Sequence, residues 1–115
     1  MGENITNINT LEKDFDSLIR YIRKSNNSAE IIVVGNFWKN DMIDKIKINI
    51  CKKNNIKFID LKNIQSIKFQ NHIGGIVNGD DNNRHIIEHN GVAKHPNDEA
   101  MNYIANKIYE SLNLK

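Results

Sequence analysis

The chain has 115 residues, of which 39% are hydrophobic and 26% charged, and a formal net charge of +2. This describes one ordinary globular domain with a modest core, not a disordered segment. A charge this small, on lysines scattered along the sequence, argues against nucleic acid as a partner.

No apolar run approaches the roughly 18 residues that suggest a membrane span. The start is polar from "GENITN" onward and does not read as a signal peptide. The single Cys51 excludes an intrachain disulfide and any cysteine-based zinc site, and its helical apolar surroundings give it a packing role. Asn is abundant alongside Lys and Ile, a composition that carries no specific message at this level.

Leu11, Phe15, Leu18, Ile19 and Ile22 keep helical spacing, and Asn9 followed by Glu12 suits a capping box. A polar break, "KSNNSAE", leads to "IIVVG", a β-branched run that suits a strand buried on both faces of a parallel sheet. A second helical stripe contains Met42, Ile43, Ile46 and Ile50, and "IKFIDL" is a second short strand. Residues 62–94 keep no sustained period, with "GG" and "NGDDNN" marking loops. Pro96 and Asn97 then introduce a final helix with the stripe Met101, Ile104, Ala105, Ile108 and Leu112. The order helix, strand, helix, strand, loop, helix predicts an α/β fold with parallel strands. Two strands make a small sheet, and the chain reads as half of something.

Three histidines crowd "RHIIEHNGVAKHPNDEA". His85, Glu88 and His89 spell H-x-x-E-H, the inverted zinc-protease pattern, in which two histidines on one helix face hold the metal. Asn82 and Asn83 before it, and Asn90-Gly91 after it, oppose a regular helix. A loop without metal is therefore expected, and a zinc hydrolase is the weakest of the function readings. "NGDDNN" lacks the glycine of a calcium loop and reads as a turn. His72 has no assigned role, and Asp60 ends the second strand, where it can bond a loop.

His95 carries more. The stretch "GVAKHPNDEAMNYIANKIYESL" joins a His-Pro pair, a helix cap and an amphipathic helix. It resembles the last block of the SGNH (GDSL-type) hydrolases, and "MGENI" resembles the Gly-x-Asn block of the same superfamily. The elements between follow the same order, so the resemblance covers nearly the whole chain.

The resemblance implies a three-layer α/β/α, flavodoxin-like fold with a parallel sheet. Residues 1–115 would form the C-terminal portion of one such domain, and the parent would be an ester hydrolase working through a serine acyl-enzyme without a cofactor. It gives His95 the part of general base and then acid, for which an imidazole is suited near neutral pH. It gives Asn4, preceded by Gly2, a place in the oxyanion hole. Asn36, Phe37 and Trp38 follow the first strand, on the ligand-facing edge of an open parallel sheet, and are candidates for a substrate crevice.

Two departures stand out. The family's imidazole-orienting Asp, three residues before the His, is Val92 here, so either another acceptor, such as a backbone carbonyl, Glu88 or Asp98, takes its place or the site is impaired. The Gly-Asp-Ser nucleophile motif is also missing. "FDSLI" is a decoy, because Ser17 lies within the stripe of Phe15, Leu18 and Ile19. The expectation is a partial domain, inactive alone, whose parent cleaves a small or carbohydrate ester. A non-catalytic α/β interaction module is the alternative, and an exposed sheet edge invites self-association.

Overall fold

A computed structural model describes residues 7–112 of the chain. Helix α1 spans Ile8–Ser25 and begins where the Asn7 side chain accepts from the Asn9 N–H at 3.1 Å. The cap therefore sits two residues before the expected Asn9, and the earlier start lets Ile8 join the packed face. Leu11, Phe15 and Ile19, four residues apart, are the buried positions of α1, and Ser17 is exposed. Each such side chain contributes about 1.5–3 kcal/mol by leaving water.

Strand β1 (Ile32–Val34) pairs in parallel with β2 (Lys57–Ile59), with Val33 opposite Phe58. Helix α2 (Asp41–Lys53) connects them, and the Asn40 side chain caps it by accepting from the Ile43 N–H at 3.2 Å. Successive strand residues point to opposite faces. Val33 joins Leu11, Phe15, Ile19, Ile43, Ile50 and Cys51 on one face, with Phe58 packed against them. Ile32 and Val34 pack on the other, against Phe37, Ile59, Leu61, Ile64 and Ala100. Cys51 is a core residue, as expected, and burial pushes its thiol pKa up.

Helix α3 (Asp98–Ser111) starts at Asn97, whose side chain accepts from the Ala100 N–H at 2.9 Å. Its inward face differs from the expected stripe. Ala100 is fully buried and Tyr103, Ile104 and Ile108 are half-buried, whereas Met101 and Ala105 are exposed. In α2, Met42 is likewise exposed, and Cys51 completes the face instead.

Residues 62–94 are not structureless. They hold two short 3-10 turns, at Lys62–Ile64 and Ile67–Phe69, and an antiparallel hairpin of β3 (Ile76–Asn78) and β4 (Arg84–Ile86). "NGDDNN" is the turn of that hairpin, with Asn82 at φ 64° and Asn83 donating its N–H to Asp81 Oδ1 at 2.9 Å. A Cβ on Gly79 would lie 2.6 Å from Asp81 Oδ1, so any side chain there would push the exposed Asp81 carboxylate aside. Among the described residues the parallel sheet thus has two strands and the hairpin stands apart from it, a mixed α/β architecture. No described helix is long and apolar enough to cross a membrane.

Candidate functional site

The carboxyl end of β1 runs into a tight turn. The Gly35 N–H donates to the Ile59 carbonyl at 2.8 Å, and a Cβ on Gly35 would come within 3.0 Å of the Phe58 ring. Asn36 follows, 2% exposed and held on three sides. Its N–H donates to Asp44 Oδ1 at 2.9 Å, and its Oδ1 accepts from Lys47 Nζ at 2.8 Å. Its carbonyl accepts from Gln65 Nε2 at 2.7 Å.

Asp44 and Lys47 are themselves buried, so this is a desolvated polar network, and such networks are stable only when their members are partnered. Asn36 is therefore a strut within the fold. Phe37 is 4% exposed and belongs to the core cluster with Leu61 and Ile64. Of the three residues expected to line a crevice, Trp38 alone reaches the surface, at 37% exposure.

Trp38 meets the His95 loop. Its indole Nε1–H donates to the Lys94 carbonyl at 3.0 Å, and its ring stands edge-to-face with the His95 imidazole, 5.2 Å between centroids at 79°. Phe37 packs edge-on against Trp38 from the core side, at 5.9 Å. The loop is pinned along its length. Lys94 N–H donates to the Asn71 carbonyl at 2.7 Å, Asn71 N–H to the His95 carbonyl at 2.8 Å, and Asn97 N–H to the Phe69 carbonyl at 2.9 Å. Lys94 sits at φ 70°, a left-handed conformation that costs a non-glycine residue about 1 kcal/mol or more.

His95 is exposed, with Nδ1 3.3 Å from the Ala93 carbonyl. A carbonyl can only accept, so this contact is a hydrogen bond when Nδ1 carries the proton, which leaves Nε2 as the basic nitrogen. Of the three orienting groups expected, the backbone carbonyl is the one in place. Among the described residues neither Glu88 nor Asp98 bonds His95. Gly2 and Asn4, the expected oxyanion-hole residues, lie outside the described residues.

The H-x-x-E-H stretch is not helical. His85 lies in β4 with Nε2 3.0 Å from Asp81 Oδ2, and His89 Nδ1 accepts from the Gly91 N–H at 2.9 Å. The two histidines are engaged locally and separately. Among the described residues no three His, Cys, Asp or Glu side chains group to hold a metal. The Asn83 N–H, followed by His85, holds the Asp81 carboxyl below its usual pKa.

Asp60 turns back on its own strand end, accepting from the Lys62 N–H at 2.7 Å. A cleft of about 230 Å³ between the hairpin and the start of α3 is lined by His72, Val77, Ile87, Asp98 and Glu99 among others, and it flanks the loop that carries His95.

The contact between Trp38 and the His95 loop was not foreseen from sequence, since it spans 56 positions. The one local hint was the placement of an aromatic pair directly after a buried strand. No protein-family model, curated protein or solved structure matches this chain.

Proposed function

We propose that this chain is the C-terminal portion of an SGNH-type ester hydrolase, with His95 as its base. The observation that carries the reading is the His95 imidazole. It is exposed in a pinned loop directly before the last helix, with Nδ1 facing a carbonyl and Nε2 left to accept a proton. Parallel pairing of the two strands, and helices packed on both faces of the pair, agree with a three-layer α/β/α parent.

In the proposed reaction Nε2 takes the proton of a serine hydroxyl as the serine oxygen attacks the acyl carbon. The same proton passes to the leaving alcohol, and an acyl-serine remains. Water then gives a proton to Nε2 as it attacks the acyl-serine, and Nε2 returns that proton to the serine oxygen as the acyl–oxygen bond breaks, releasing the acid and the free serine. Asn4 donates its side-chain amide to the oxyanion, and one such donor is worth about 3 kcal/mol of barrier. The substrate is a small or carbohydrate ester, and no cofactor takes part.

The sequence holds no Gly-Asp-Ser, so the serine comes from a separate segment. The reading is tested by assembling the chain with a strand–Gly-Asp-Ser–helix segment encoded beside it and assaying acetyl-ester hydrolysis. Turnover that needs His95 supports it. The lack of any such neighbouring segment, or turnover indifferent to His95→Ala, refutes it.

One observation favours a second reading, a non-catalytic α/β module that associates through its surface. Ile76 and Ile86 face each other across the hairpin and are 62% and 61% exposed. Both β1 and β2 also keep an open edge among the described residues, a template for pairing with another chain. Sedimentation distinguishes the cases. The module reading expects self-association that Ile86→Asp weakens, and a monomer at high concentration counts against it.

A further inference from the structure

The geometry points to Trp38 as the positioning residue for His95, standing in for the orienting carboxylate that Val92 cannot supply. This assignment rests on the reading of His95 as a base, and its test separates the two.

Three contacts support it. The indole edge-to-face contact, at 5.2 Å and 79°, limits how the imidazole can swing. The Nε1–H bond to the Lys94 carbonyl at 3.0 Å fixes the backbone one residue before His95. The indole is itself braced by Phe37, which is buried in the core, and the turn before it is locked by Asn36, Asp44 and Lys47. A chain of rigid contacts thus runs from the desolvated network at the end of β1 to the ring that would move the proton.

Without Trp38, the hydrogen bond left to the imidazole among the described residues would be the 3.3 Å contact to Ala93, and a bond that long and solvent-exposed is weak. The ring would then rotate about its side-chain bonds. The preference for a proton on Nδ1 would decay, because the hydrogen bond made by one ring nitrogen sets the tautomer of the other. An unconstrained neutral imidazole favours the proton on Nε2, the wrong nitrogen for a base that must accept there. A carboxylate would hold the ring by charge, whereas Trp38 confines it by shape and bonds the backbone carbonyl of Lys94, one residue before it.

Imidazole nitrogen NMR on the full chain labelled with ¹⁵N-histidine tests this directly. In the wild-type chain with neutral imidazole, the proton should lie mainly on Nδ1, and the His95 ring protons should carry the ring-current shift of the indole. Trp38→Leu should move the proton toward Nε2 and abolish the ring-current shift, with amide signals outside the two contacting segments unchanged. Trp38→Phe, which keeps an aromatic edge but loses the indole N–H, should fall between. It also decides the matter should Trp38→Leu lose its dispersed amide spectrum. Identical His95 nitrogen shifts in the wild type and in whichever of these variants stays folded would overturn the assignment.

In the assembled hydrolase, Trp38→Leu should lower kcat on the order of 10²-fold with KM little changed, the pattern of a misaligned base. If that assembly does not hydrolyse esters at all, the hydrolase reading falls while the nitrogen shifts still decide what positions His95.

Discussion

The indole of Trp38 and the backbone of Lys94 are joined by a 3.0 Å hydrogen bond across 56 positions of sequence, tying the end of the first strand to the loop before the last helix. Lys94 meets that bond in a left-handed conformation, at φ 70°. Asn55 and Asn82, the other non-glycine residues at positive φ among the described residues, are of a type that tolerates it. Lys94 is not. We expect Lys94→Gly to raise the unfolding free energy by up to about 1 kcal/mol, relief of strain exceeding the entropy of glycine. Urea denaturation measures this, and a destabilised variant would mean that the lysine side chain holds the loop.

The network at the turn makes the opposite prediction. Asp44 is 6% exposed and accepts the Asn36 N–H, and Lys47 bonds the same Asn36 from 4% exposure. Removing one charged member leaves the others desolvated with fewer partners. Asp44→Ala should therefore cost about 3 kcal/mol. A loss below about 1 kcal/mol, in the range of one ordinary hydrogen bond, would mean that water reaches the network.

Asp16 on α1 gives stability a pH dependence. The Asn54 side-chain amide, bonded at 2.9 Å, lowers its carboxyl pKa, burial partly opposes this, and Arg20 and Lys53 lower it further. A carboxyl whose pKa is lower folded than unfolded stabilises the fold above the ordinary value of 3.8. That contribution fades as pH falls through the lower, folded value. The difference in thermal midpoint between the wild type and Asp16→Ala should hence be full at neutral pH and shrink on acidification below 3.8. An equal difference at both ends would assign the effect of Asp16 to packing.

What could be read from sequence was whatever repeated with a buried face. Leu11, Phe15 and Ile19 gave away α1, "IIVVG" a doubly covered parallel strand, and Asn97 the start of α3. The hairpin was hidden because its strands are three residues long and lie mostly in solvent, with Val77 the one half-buried position among them. The facing of α3 was misjudged because small Ala100, outside the apolar stripe, takes the tightest position.

The Asn richness dismissed as composition is in part punctuation. Among the described residues Asn7, Asn40 and Asn97 cap the three α-helices, and Asn55 and Asn82 occupy left-handed turns. At the site, Asn36 and Phe37 looked like crevice residues because they follow a strand, yet their side chains point inward. Exposure, the ring contact with His95 and the long-range bond to Lys94 distinguish Trp38 from them.

His95 is proposed as the general base of a hydrolase whose Gly-Asp-Ser serine lies on another segment. The most direct measurement is the rate of p-nitrophenyl acetate hydrolysis by the chain alone, by its assembly with the Gly-Asp-Ser segment, and by that assembly carrying His95→Ala. The chain alone should be no faster than buffer. The assembly should turn over, and His95→Ala should lower its rate by at least about 10³-fold. A His95-dependent rate from the chain alone, or an active assembly untouched by His95→Ala, would contradict that proposal.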